Sequence, residues 1–432
     1  MTAAIAAPAV RRPAPQFELV TLPEDLATRP EGPRRPDPGA RRMTATATAV
    51  AAPGRAYTRR ISQIERGYLN ANATGTPQLI QMVIDGEGRI DPAELADAVR
   101  QATAANPGLA VRRKGPNWRA EDALPPITEL PADAGFDHPF FHRDLDVVAG
   151  PVCEVGLANG PVSARLVVRA SHIVTDGRGL RYWIEDLFRA LRGEPVVGAD
   201  STVDDTHFRA AAAPVPAAPV PARVEGGPAI LGQQAADGTA LWLRRSIEAT
   251  PSAVTARIGA AVSRRLAADA GRLIIPVDLR RHDREVRSTA NLTSQLVLDL
   301  HREDRWNRLH SQLLAAMLRK REVAALDRDF LRNNPFANSL REAQELDGTR
   351  FPCTAILTDH GRIDTELFRT AHFRPTDYCT LPMLVPYAEM FLSTCQLDGR
   401  TEVTLSCRNR PDARPAAEAV LDDVERALLA AD

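Results

Sequence analysis

Residues 165–193 limit what this chain can fold into more than any other stretch, because they read as a strand, a tight turn with ionisable groups, and a helix. Arg165-Leu166-Val167-Val168-Arg169-Ala170 is a short, mostly apolar run between polar neighbours, the pattern of a half-buried strand. After Gly177, apolar residues fall at Leu180, Trp183, Ile184, Leu187, Phe188 and Leu191, which is helical spacing, and Gly193 stands where a C-terminal cap belongs. His172 therefore comes at a strand end, and Asp176-Gly177 turn the chain into the helix. An imidazole held there reaches a cleft with little freedom. General-base chemistry needs that placement, since proton transfer works only at contact range.

Composition removes several function classes. A length of 432 residues allows roughly two to three domains of about 150 residues. The net charge of -1 offers no electrostatic attraction to nucleic acid or an anionic membrane, so neither is expected as a partner. No apolar run approaches the roughly 20 residues that cross a bilayer, and Met1-Thr2-Ala3-Ala4-Ile5 lacks the charged start of a signal peptide. Cys153, Cys353, Cys379, Cys395 and Cys407 are widely spaced with no Cys-x-x-Cys pair, so buried free thiols in a reducing cytoplasm are expected rather than zinc or disulfides. His138, His142, His207, His282, His301, His310, His360 and His372 show no metal-ligand spacing and read as surface or loop residues. No phosphate-binding glycine loop or dinucleotide fingerprint is present.

Along the chain, residues 1–53 are rich in Pro, Ala and Arg without apolar periodicity and read as a disordered or loosely docked arm. Residues 54–210 form a first block. Ile80–Ile84 suggests a strand, and Asp91-Pro92-Ala93-Glu94 opens a helix through about Ala105. Residues 211–239 have the Pro, Ala and Gly content of a linker. In the block 240–432, Ser252–Ala268 and Arg305–Leu326 read as helices, Leu273–Leu279 as a strand and Ala413–Leu429 as a terminal helix. Met390–Gln396 and Glu402–Cys407 flank an Asp398-Gly399 hairpin turn.

His172, Asp176 and Gly177 match the His-x-x-x-Asp-Gly motif, and here the chain resembles the chloramphenicol acetyltransferase-like superfamily. That superfamily includes condensation domains of nonribosomal peptide synthesis and polyketide-associated acyltransferases. The family usually carries two adjacent histidines and the second is catalytic; Ser171 holds the first place here. Pro276-Val277-Asp278-Leu279-Arg280 with Ala290-Asn291-Leu292, Leu357-Thr358-Asp359-His360-Gly361-Arg362, and Asn106-Pro107-Gly108-Leu109 resemble further family segments in the right order. The family's late Asp-Phe-Gly-Trp-Gly stretch has no counterpart.

The resemblance implies an α+β (mixed α/β) fold of two such lobes facing each other across a central tunnel, and a stand-alone acyltransferase. An acyl thioester of CoA or of a phosphopantetheinyl acyl or peptidyl carrier protein would meet a small-molecule amine or hydroxyl, with no bound cofactor and no metal. His172 would be the general base. Asp176 would pair with Arg280 and shape the site, with Gly177 where a Cβ would obstruct. Ser171, Asn291, Ser294 and Gln295 are candidate polar residues of the tunnel near an oxyanion. Ser171 is excluded as a nucleophile, because strand neighbours point to opposite faces and no Gly-x-Ser-x-Gly elbow is present. Two alternatives remain: a CoA-dependent O- or N-acyltransferase on a free small molecule, and a silent condensation-like domain that recruits another protein, for which Ser171 is the main hint.

Overall fold

The capping residues of the motif helix do in space what their positions in sequence require. The computed structural model describes residues 57–73, 76–216, 227–326 and 350–430. The arm at 1–53 and the core of the linker, 217–226, lie outside these described residues. Asp176 accepts a hydrogen bond from the Gly179 N–H at 2.8 Å and so starts the helix Gly177–Leu191. The chain leaves that helix through Gly193 at φ +69, a conformation in which a Cβ is costly. Asp91 likewise caps the helix Pro92–Ala105 by accepting from Ala93 and Glu94 N–H groups.

The motif strand, Ser163–Ser171, lies in a five-stranded sheet of order Phe373–Leu381, Leu79–Gly88, Ser163–Ser171, Cys153–Asn159, Ile127–Glu129. Neighbours run antiparallel except the last pair. Met82, Ile84, Leu166 and Val168 face the two helices, where Leu95, Val99, Leu180 and Ile184 complete a core. Val83 and Val167 point to the other face and pack with Phe140 and Phe141. Trp183 joins the helices by donating its Nε1–H to Thr103 Oγ1 at 3.2 Å.

A six-stranded sheet forms the second lobe in the order Thr293–His301, Ala270–Asp278, Cys353–Arg362, Ala388–Leu397, Arg400–Arg408, Ala240–Ile247. Helices Val254–Ser263, Trp306–Leu318 and Ala413–Leu429 contribute Ile258, Leu309 and Val420 to its core. The Asp398-Gly399 turn has both residues at positive φ, +48 and +85, matching the right-handed twist of the hairpin.

Three sequence expectations shift. The helix expected over 252–268 is confined to Val254–Ser263. The one expected over 305–326 stops at Leu318; Lys320 takes φ +52, and a short helix, Arg321–Ala324, resumes with Val323 buried, which prolongs the apolar pattern past the break. The strand expected over 273–279 ends at Asp278, whose carboxylate caps the turn Leu279–His282 by accepting the Arg280 N–H.

The lobes do not follow the chain's halves. Phe373–Leu381 crosses over and pairs with Leu79–Gly88, setting Tyr378 opposite Ile84 and Thr380 opposite Met82. Phe373 and Tyr378 bury their rings in the first lobe's core beside Phe188 and Phe368. All five cysteines are buried and unbonded to one another, and burial pushes each thiol pKa up. Among the described residues, no helix is long and apolar enough to cross a membrane.

Candidate active site

The motif strand delivers His172 to the seam between the sheets. Its N–H donates to the Gln78 carbonyl at 2.8 Å, extending the ladder one residue past the strand. The ring stacks on Tyr68, with centroids 4.8 Å apart and planes 23° from parallel. Tyr68 stands on the helix Gln63–Asn72, which opens with a capping box of Ser62 and Glu65. Glu65 is also held by Arg59 at 2.5 Å and by the Trp118 Nε1–H at 2.9 Å, and Arg59 donates to the Val174 carbonyl inside the motif turn at 2.8 Å. Sequence reading missed Tyr68 and Arg59. The Ser62-x-x-Glu65 pattern could mark the helix, but no local signal ties it to the motif.

Burial lowers the His172 pKa, while Asp176 and hydrogen bonds to backbone carbonyls push the other way without prevailing. The ring is therefore neutral at pH 7. Asp176 faces away from it. Its Oδ2 accepts from Arg280 Nη1 at 3.0 Å, from the Leu292 N–H at 2.7 Å and from Thr293 Oγ1 at 3.2 Å. Burial alone would raise the Asp176 pKa; Arg280 and these donors overcome it and hold the carboxyl below its ordinary range. Arg280 also reaches Asp278 and the carbonyls of Ser288 and Ala290, so one guanidinium ties the second lobe to the motif turn.

A cavity of about 250 Å³ opens beside His172 and is lined from both sheets. Leu79, Ile80, Ile274, Ile356 and Phe391 give it apolar walls; Gly177, Ser294 and Gln295 also reach it. Two of the expected tunnel residues do not. Ser171 is buried on the opposite strand face, and Asn291 is buried with its Nδ2 donating to the His172 carbonyl at 2.6 Å and lying 3.3 Å from Nδ1. Asn291 thus anchors the histidine instead of lining the tunnel. Ser294 commits its hydroxyl to the Glu322 carbonyl at 2.5 Å.

One expectation is overturned outright. His360, read as a surface or loop residue, stands on the strand Cys353–Arg362 and lines the same cavity as His172. The crossover strand brings Thr380 beside it. Burial, followed by the positive charges of Arg181 and Arg178 and the His172 ring, pushes its pKa down to about 4. His282 and His207 are likewise engaged, on Glu322 and Asp283. Among the described residues, no group of His, Cys, Asp and Glu could hold a metal ion.

No family model matches the sequence, and no curated protein does. Solved structures do match. The EpoB NRPS cyclization-docking bidomain from Sorangium cellulosum aligns at TM-score 0.58 and 15% identity, over 87% of this chain and 86% of that one. Polyketide synthase associated protein 5 from Mycobacterium tuberculosis aligns at 0.59 and 16%, over 88% and 100%. The starter condensation domain of rhizomide synthetase RzmA, solved as a mutant with C8-CoA and Leu-SNAC, aligns at 0.58 and 13%, over 86% and 94%. The protein has the two-lobed fold that these structures and other solved condensation domains share.

Proposed function

We propose that this chain is a condensation-type acyltransferase that moves an acyl group from a thioester to an amine or hydroxyl, forming an amide or ester, with His172 as general base. The observation that carries the reading is a neutral imidazole, fixed by Asn291 and Tyr68, at the wall of a cavity lined by both lobes. The acceptor's nitrogen or oxygen attacks the thioester carbonyl carbon while His172 removes its proton. The carbonyl π pair moves onto oxygen. When the tetrahedral intermediate collapses, the C–S bond breaks and the imidazolium returns its proton to the departing thiolate. Most of the remaining acceleration comes from holding the two substrates in line. Asp176, Gly177 and Arg280 shape the turn and transfer no proton.

The donor is an acyl-CoA or an acyl group on the phosphopantetheine of a carrier protein, which this chain would meet transiently. The apolar walls suit an acyl chain, and the rhizomide synthetase domain's complex with C8-CoA supports a thioester there. The test is His172→Ala with product formation followed by mass spectrometry, using acyl-CoA and acyl-carrier donors in parallel. A folded variant with turnover at least about a hundredfold lower supports the reading. Near-wild-type turnover would sink it in favour of recruitment.

A further inference from the structure

We propose that His360 is a second catalytic residue, a neutral imidazole that donates a ring N–H to the thioester carbonyl oxygen as it becomes the oxyanion. The proposal rests on the acyl-transfer reading above and assigns a group to the half of the reaction that His172 leaves unserved.

Elimination narrows the choice first. A developing oxyanion needs a donor whose hydrogen bond is free in the resting site. Ser171 and Asn291 do not line the cavity, and the Asn291 amide is taken by the His172 carbonyl. Ser294 donates to the Glu322 carbonyl, Thr293 to Asp176, and Gln78 to the Thr76 carbonyl. Tyr68, Arg178, Arg181, Gln295 and His360 also line the cavity with N–H or O–H groups, and of these His360 has its ring against the motif glycine.

Position and rigidity then favour His360. Its ring lies against the motif glycine so closely that a Cβ on Gly177 would stand 3.0 Å from Cε1 and 3.4 Å from Nδ1. On its other side Nε2 lies 3.5 Å from Thr380 Oγ1, which shares a short hydrogen bond with Ser393 Oγ. With Ser393 donating to Thr380 and Thr380 in turn donating to Nε2, the ring hydrogen sits on Nδ1, the nitrogen beside the motif. Arg178 and Arg181 also line this wall, paired only loosely with Asp278 at 3.7 Å and Glu185 at 3.4 Å, and they oppose a positive charge on the ring. Asp278 and Asp359 line the cavity too, each engaged by donors: Arg280 on Asp278 and the Gly361 N–H on Asp359. The imidazole with a pKa pushed down to about 4 is a poor base near pH 7 but a good neutral donor. The two histidines thus divide the work: one takes the proton, the other receives the oxyanion.

The test uses the full chain and two readouts. His360→Leu should lower kcat by about 10²–10³-fold, with the KM for octanoyl-CoA changed only a few-fold, and His360→Gln should recover at least about tenfold. The second readout is the infrared carbonyl stretch of octanoyl-CoA carrying carbon-13 at its carbonyl. Bound to the His172→Ala protein it should lie below its free-solution value, and adding His360→Leu should return it towards that value. A merely structural role would lower the melting temperature without moving the band and without rescue by Gln. Turnover of His360→Leu within about threefold of wild type, or an unmoved band, overturns the proposal; the same losses in Gln295→Leu instead would assign the donor to Gln295. Failure of the underlying reading looks different: the wild-type protein transfers no acyl group from any thioester.

Discussion

Asp176 and Arg280 form a buried ion pair across the lobe boundary, Nη1 to Oδ2 at 3.0 Å, with both side chains almost fully withdrawn from water. Neither charge is left for chemistry, because four donors surround the carboxylate and two carbonyls share the guanidinium. Removing one partner strands the other, a loss of about 3–5 kcal/mol. Asp176→Asn and Arg280→Ala should each lower the melting temperature and the turnover together. A double-mutant cycle on thermal melts checks the pairing; additive losses would show that the two groups do not interact.

Asp176 also acts on His172 through space, where its negative charge favours the imidazolium against burial. In the wild-type protein the acid limb of kcat/KM should fall below the ordinary histidine value of about 6.5. In Asp176→Asn that support is gone, so the limb should move further down, although stability also suffers. Rate profiles on the folded fraction decide it. A limb that rises in the variant would contradict this electrostatic arrangement.

Gly177 and Gly179 predict opposite balances of stability and activity. A Cβ at 177 meets side chains alone, the His360 ring at 3.0 Å and Ile80 Cδ1 at an ordinary 3.7 Å, so Gly177→Ala should displace that ring by a few tenths of an ångström, keep nearly all stability and lose turnover. A Cβ at 179 would stand 2.6 Å from the Thr289 backbone oxygen, which cannot swing aside. Gly179→Ala should cost about 1–3 kcal/mol. Thermal melts beside kinetics on the two variants separate the effects.

Glu389 is buried at the start of its strand, where it accepts the N–H groups of Ile230 and Leu231, and burial raises its pKa to about 7. The folded state therefore holds a proton that the unfolded chain releases near its ordinary value of about 4.5. Stability from this group is intact below about pH 4.5 and declines as pH rises towards 7. Glu389→Gln keeps the acceptor and removes the ionisation, so it should stabilise the protein at pH 8 by up to about 3 kcal/mol and leave pH 4 nearly unchanged. Denaturant titrations at the two pH values measure it.

The parts of this protein that were legible in its sequence are those whose cause is local. Asp91 as a cap, the turn into the motif helix at Asp176-Gly177, the Asp398-Gly399 turn and the apolar stripe of Ala413–Leu429 follow from neighbours within a few residues. Asp176, Gly177 and Arg280 were recognisable from a motif and the order of its companions. The tertiary structure decided the rest. Asn291 and Ser294 look like tunnel donors along a strand, but packing turns one amide onto His172 and one hydroxyl onto Glu322. His360 looks like one of eight unremarkable histidines until Phe373–Leu381 crosses to the first sheet and the strands close around it beside Gly177. Periodicity reports which way a side chain points from its own strand; it carries no information about which distant segment that side chain will meet. Pairings such as Thr380 with Met82 join residues nearly 300 positions apart, and only the folded chain brings them, and the second imidazole, to the site.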